Sequence, residues 1–167
     1  MTLETFKIKV LGIDVDGIMT NGTKLYDRDA KCIAKQYNDR DFTAIRRLKD
    51  AGIYVCLISG DRNINEEMAS KRNIDFYYVN VHTGSKVDTM EGILKERGLT
   101  WKDAAYIGDD YFDLPLLTKV CYAYCSSDSI IDIKYNPHVK MLSGCGGTGV
   151  LDELYKVLRS VPCHSIT

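Results

Sequence analysis

At 167 residues, with 45% hydrophobic and 27% charged side chains, the chain is long enough to bury a substantial core as a single domain spanning 1–167. Its 22 Lys+Arg against 23 Asp+Glu leave a net charge of −1, which argues against nucleic acid or an anionic membrane as partner. No apolar run approaches the roughly 20 residues that cross a bilayer, MTLETFKIKV lacks a signal-peptide apolar core, and six cysteines with no C-x-x-C pair read as reduced thiols of a cytoplasmic protein.

The first apolar run, 7–14, predicts a strand that ends by pushing out Asp14-Val15-Asp16-Gly17. Residues i and i+2 of an extended segment point the same way, so Asp14 and Asp16 can face one cavity. Segment 18–38 then reads as a β-hairpin turning near Asp27-Arg28-Asp29-Ala30. A two-stranded ribbon is marginal alone, and its Leu25, Tyr26, Ile33 and Tyr37 need cover from their own domain or from a neighbouring subunit.

A helix is predicted over 41–51, then a strand over 53–58 that ends at Ser59-Gly60-Asp61, and a helix over 63–73. A strand over 75–79 leads to Gly84-Ser85-Lys86 and a helix over 85–97. Thr100 and Asp103 have the spacing of a capping box, with Asp in place of the usual Glu. The strand over 104–107 runs into Gly108-Asp109-Asp110-Tyr111-Phe112-Asp113 and a helix over 110–118. A strand over 120–124 and a helix over 149–159 complete the pattern, and the tail 160–167 is expected to fray or to reach a neighbour's site. Apolar strands alternating with helices predict a three-layer α/β domain on a parallel sheet, whose ligands sit beyond the carboxyl ends of the strands.

That edge collects the chemistry. Asp14, Asp16, Asp109, Asp110 and Asp113 crowd there against one lysine, Lys86. Carboxylates so close raise each other's pKa unless a cation balances them. A hard divalent cation with oxygen ligands, Mg2+ above all, resolves the crowding. With Lys86 as a second positive charge and Ser59 as a donor, the set describes a site for a phosphate bound through a metal. Each piece alone has a bland reading: a chance D-x-D, a capping Ser, a solvated Lys, acids at a helix start. Their order, each after its own strand, is what carries weight.

That ordered set resembles the haloacid dehalogenase superfamily of phosphotransferases, over residues 7 to 155. The resemblance implies a Rossmann-like sheet with a β-hairpin flap after the first strand. It implies Asp14 as the nucleophile that forms an aspartyl-phosphate and Asp16 as general acid and base. It implies Ser59, Gly60 and Lys86 at the phosphate, and Mg2+ held by Asp14, Asp109 and the Asp16 backbone carbonyl. Asp110 and Asp113 are implied to hold Lys86 and metal-bound water. Residues 17–57 and 61–85 are too short for a cap domain.

Within the superfamily the chain looks like the capless phosphatases of 3-deoxy-2-ulosonate sugar phosphates, which act on octulosonate 8-phosphate or nonulosonate (sialic-acid-type) 9-phosphates. The matching residues are Thr20, Asn21 and Gly22, Tyr26, Tyr37-Asn38-Asp39-Arg40-Asp41, Ala105 to Asp110 and Gly146-Gly147-Thr148-Gly149. This group implies a homotetramer with the hairpins at its centre. Two positions depart from it. Asp61, followed by Arg62, stands where the octulosonate enzymes carry Arg, and Thr148 replaces a charged residue in the late glycine segment. Arg40 is a candidate for a substrate carboxylate, weighed against an ordinary surface arginine at a helix start. Two other readings stand beside the phosphatase. One is a phosphatase-like oligomerisation module with little turnover, associated with sugar-nucleotide synthesis. The other is a sensor that keeps its acyl-phosphate.

Overall fold

The structure, a computed structural model, describes residues 6–160. In chain order its strands are β1 (Val10–Ile13), β2 (Leu25–Tyr26), β3 (Cys32–Ala34), β4 (Tyr54–Ser59), β5 (Asp75–Tyr78), β6 (Ala104–Ile107), β7 (Tyr122–Cys125) and β8 (Val139–Met141). The α-helices are α1 (Asp39–Asp50), α2 (Asn63–Lys71), α3 (Lys86–Glu96), α4 (Leu114–Leu117), α5 (Ile131–Lys134) and α6 (Val150–Ser160). Six strands form one parallel sheet in the order β5-β4-β1-β6-β7-β8.

The apolar runs of β1, β4 and β6 are continuous because these strands are buried on both faces. Alternate residues go to opposite layers, as the period of two requires. Leu11, Ile13, Val55, Leu57, Ala105 and Ile107 pack towards α1 and α6, against Ile45, Leu48, Leu151 and Leu154. Val10, Cys56, Ile58, Ala104 and Tyr106 pack towards α3 and α4, against Met90, Ile93, Leu116 and Leu117. β1 lies at the middle of the sheet between β4 and β6. The strand order reverses there, which is where an open α/β sheet leaves a crevice for ligand.

Local signals set several boundaries. Asn38 caps α1, its side-chain oxygen accepting the Arg40 N–H at 3.0 Å, so the helix starts two residues before the predicted 41. Thr100 and Asp103 close the expected capping box around a single 3-10 turn, Trp101–Asp103. The hairpin turns where expected. Asp27 Oδ1 accepts the N–H groups of Asp29 and Lys31, both at 2.9 Å, and Ala30 sits at φ 59°. Tyr37 is covered by Phe42, whereas Leu25, Tyr26 and Ile33 are exposed.

Three elements differ from the sequence expectation. The helix predicted over 110–118 is one turn, Leu114–Leu117, preceded by a tight loop. β8 and α5 were not expected. β8 has three residues, one of them buried, and carries no periodicity to read. α5 is a single turn. The tail from 161, with Cys163 and His164, lies outside the described residues. No helix among the described residues is long and apolar enough to cross a membrane.

Candidate active site

β1 delivers Asp14 to the sheet edge with its backbone N–H still bonded to Ile107 O at 3.0 Å. The chain then turns tightly over 15–19, closed by the Thr20 N–H donating to Val15 O at 3.1 Å. Gly17 has φ 96°, and a Cβ there would stand 1.9 Å from Asp109 Oδ2. Only glycine tolerates both that backbone and that approach. Behind this turn lies the late glycine segment. The Gly147 N–H donates to Ile18 O at 2.9 Å, and a Cβ on Gly146 would stand 1.9 Å from Gly17 O.

Lys86 is the first residue of α3, whose cap is Ser85. Its buried Nζ donates to Asp14 Oδ1 at 2.5 Å, Asp113 Oδ1 at 2.6 Å and the Tyr106 hydroxyl at 3.0 Å. Burial opposes its charge, but Asp14 and Asp113 outweigh burial and hold its pKa above the ordinary lysine value. Asp113 is fully committed. Oδ1 also accepts from Tyr106, and Oδ2 accepts the N–H groups of Asp109 and Asp110, both at 3.1 Å. Ser59 Oγ accepts from the Asp61 N–H and from Asn65, which leaves its own proton to donate.

Burial, reinforced by Asp113, pushes the Asp14 carboxyl up to about 7 against the pull of Lys86. Burial, with Asp14 and Asp113 beside it, pushes Asp109 up to about 8. Asp14, Asp109 and Asp113 each place a ligand oxygen within 4.8 Å of the others. Three carboxylates against one ammonium leave two negative charges, and Asp109 Oδ1 is buried with no hydrogen-bond partner. These residues fit a divalent cation, which would fall to Asp14 and Asp109, the two acids with a stake not already taken.

The sign of the resulting pH dependence follows. Both acids bind protons more tightly folded than unfolded. Their contribution to stability is complete below about pH 4 and is lost as pH rises through 7 and 8. Asp41, buried and pushed up to about 7, adds to the same trend away from the site. Metal-free protein is expected to show a urea midpoint that falls between pH 5 and 8. Saturating Mg2+ is expected to restore the part owed to Asp14 and Asp109. A midpoint that Mg2+ leaves unchanged at pH 8 would sink the metal assignment.

Asp14, Asp16, Ser59, Gly60, Asp61, Lys86, Asp110 and Asp113 line one cleft of about 260 Å³, together with Lys24, Val81 and Phe112. A larger groove of about 660 Å³ between α1 and α2 holds none of these groups. Asp110 accepts the N–H of Tyr111 at 2.7 Å and makes no bond to Lys86, so Asp113 alone of that pair touches the lysine. Three residues expected near substrate lie outside the cleft. Arg40 is exposed beside Asp39, Thr43 and Asp152. Arg62 pairs with Glu66 at 2.7 Å, and Thr148 donates to Cys145 O at 2.7 Å.

Sequence reasoning passed over four participants: Lys24, Lys35, Asn65 and Tyr106. Lys24 pairs with Asp61 at 2.6 Å at the cleft mouth. Tyr106 was read as an apolar strand residue and as part of the family-matching run Ala105 to Asp110, and nothing in that run marks its hydroxyl as a site group.

No family model matches the chain. It is 32% identical over 148 residues to the 3-deoxy-D-manno-octulosonate 8-phosphate phosphatase KdsC of Haemophilus influenzae, covering 88% of this chain and 80% of that protein. The cobalt-bound structure of the Haemophilus influenzae deoxy-D-mannose-octulosonate 8-phosphate phosphatase superposes with a TM-score of 0.81 at 30% identity, over 91% of this chain and 87% of that one. The crystal structure of the Yersinia pestis 3-deoxy-D-manno-octulosonate 8-phosphate phosphatase gives 0.82 at 27%, over 91% and 80%. With the parallel sheet, the strand-end acids and this similarity together, the chain belongs to the 3-deoxy-D-manno-octulosonate 8-phosphate phosphatase family, phosphoric monoester hydrolases of the haloacid dehalogenase superfamily.

Proposed function

We propose that the protein hydrolyses the phosphate monoester of a 3-deoxy-2-ulosonate sugar acid, octulosonate 8-phosphate or a nonulosonate 9-phosphate, with Mg2+ and through an aspartyl-phosphate on Asp14. The observation that carries this reading is the juxtaposition of Asp14 with Lys86 at 2.5 Å in one cleft with Ser59, with a ligand oxygen of Asp109 within 4.8 Å of one on Asp14. Relatives named for the octulosonate substrate support the sugar class. Asp61, in place of the arginine of those enzymes, supports the nine-carbon branch.

Asp14 needs no base to act as a nucleophile, because it attacks phosphorus as a carboxylate. Asp16 gives a proton to the departing sugar oxygen, then takes one from the water that cleaves the acyl-phosphate. Lys86 and the Ser59 hydroxyl hold the phosphoryl oxygens while charge shifts onto them. Mg2+, held by Asp14, Asp109 and the Asp16 carbonyl, would supply the further positive charge that these oxygens need. The exposed Leu25, Tyr26 and Ile33 support self-association through the hairpins, and we propose the homotetramer on that ground.

The test is phosphate release, with Mg2+ and with chelator, from octulosonate 8-phosphate, nonulosonate 9-phosphates and hexose phosphates. Mg2+-dependent turnover of one ulosonate ester at least tenfold above the hexose esters is expected. A well-folded oligomer that releases no phosphate from any of them would favour the oligomerisation module, which the apolar hairpin face also suits.

A further inference from the structure

Lys35 follows β3 on the hairpin, and its side chain is only 1% exposed. Its Nζ is 2.9 Å from Asp16 Oδ2, 2.8 Å from Asp61 Oδ2 and 2.9 Å from Asn65 Oδ1. Asp16 Oδ1 stands 2.7 Å from the same ammonium but accepts no hydrogen bond, so it is the oxygen left to carry a proton. An ammonium has three protons to give, and three residues surround it with acceptors.

Asn65 completes the clamp from α2. Its oxygen accepts from Lys35 and from the Tyr37 hydroxyl at 2.8 Å, and its amide donates to Asp16 Oδ2 at 2.9 Å. The orientation of that amide follows from its neighbours. Lys35 can only donate, so the amide oxygen must face the lysine and the nitrogen Asp16 Oδ2. Asp16 is thus gripped from two elements that meet only in the folded chain.

Burying an ammonium is costly unless it is paired. Charge balance shows what the pairing serves. Lys24 and Lys35 meet Asp16 and Asp61, two basic side chains against two acids, so this half of the cleft carries no surplus of acids. The other half, around Lys86, carries the surplus negative charge. Lys35, set between Asp16 and Asp61, therefore ties the hairpin to the acids at the ends of β1 and β4.

We propose that Lys35, seconded by Asn65, is a positioning residue that fixes the Asp16 carboxylate at the cleft, so that seating of the hairpin and placement of the general acid are one event. This rests on the phosphatase reading, in which Asp16 protonates the leaving oxygen.

The test exploits the leaving group. A sugar alkoxide needs a proton from Asp16, whereas p-nitrophenolate leaves without help. The ratio kcat/KM runs only through the first irreversible step, transfer to Asp14, so hydrolysis of the acyl-phosphate does not mask the comparison. For Lys35→Met, kcat/KM on the best sugar phosphate of the panel is expected to fall on the order of 10- to 100-fold, and on p-nitrophenyl phosphate by less than about threefold. Asn65→Ala is expected to discriminate in the same direction by a smaller factor. It changes α2 and keeps the Lys35 ammonium in place of a buried methionine, so a poorly folding Lys35 variant does not end the test.

Equal losses on both esters would mean a merely structural role and would overturn the proposal. So would unchanged kinetics, or a gain that marks Lys35 as an inhibitory latch. Wild-type protein that turns over neither ester would overturn the phosphatase reading first, and the role of Lys35 with it.

Discussion

Asp14→Asn is expected to lose turnover by about 10⁴-fold or more while remaining folded. Asparagine keeps the shape of the side chain and its contact with Lys86, and removes only the nucleophile and the charge. In the metal-free protein that charge is a burden, since burial and Asp113 already push the Asp14 carboxyl up to about 7. The variant should therefore melt no lower than wild type without metal at pH 8, and gain less from added Mg2+. Phosphate release and thermal melts, each with Mg2+ and with chelator, check both halves. Activity within tenfold of wild type would remove Asp14 from the role of nucleophile.

Lys86→Met should do the opposite to stability. Lys86 is the one ammonium bonded to Asp14 and Asp113, at 2.5 and 2.6 Å, and all three are buried. Taking away one partner of a buried ion pair leaves the other uncompensated, at a cost of about 3–5 kcal/mol. For a chain of this length that lowers the melting temperature by roughly 6–20 °C. Activity is expected to fall on the order of 10²–10³-fold, as for the loss of one donor to a developing oxyanion. The stability loss should be smallest at pH 5 or in Mg2+, where protons or the cation take over the balancing. A loss below about 1 kcal/mol at pH 8 without metal, in urea unfolding, would show that Lys86 is not the counter-ion of the site.

The parts of the fold legible in the sequence were those with two-sided burial. Val10 to Ile13 is apolar because a helix layer covers each face, and that continuity announces a central parallel strand. Val139 to Met141 announces nothing, because an edge strand with one buried residue has no pattern to impose. The expected helix over 110–118 failed for a local reason. Asp113 turns back to accept the N–H groups of Asp109 and Asp110, which holds 110–113 in a loop and leaves Pro115 to open the helix.

At the site, Asp14, Ser59, Lys86 and Asp109 were readable because each follows a strand, and the topology of the sheet does the gathering. Lys35 and Asn65 were not, because a hairpin lysine reads as solvated and a polar residue on α2 has no period to betray it. What joins them is the crossing of the hairpin over the start of α2, a tertiary fact. Arg40 was expected near substrate because arginine suits a carboxylate. Its position on α1 sets it instead beside Asp39 and Asp152.

The glycines behind the catalytic turn bear on how natural variants of this chain should be judged. Gly146 is not among the residues lining the cleft, and its N–H donates to Asp128 Oδ1 at 2.9 Å, yet a methyl group there would press on the carbonyl oxygens of Gly17 and Thr20. The turn cannot yield forward, since Gly17 is already against Asp109. A screen that ranks substitutions by distance from the reacting phosphate would pass Gly146→Ala as harmless. The backbone stacking predicts instead that damage reaches the acids from the rear, through a wall with no slack on either side.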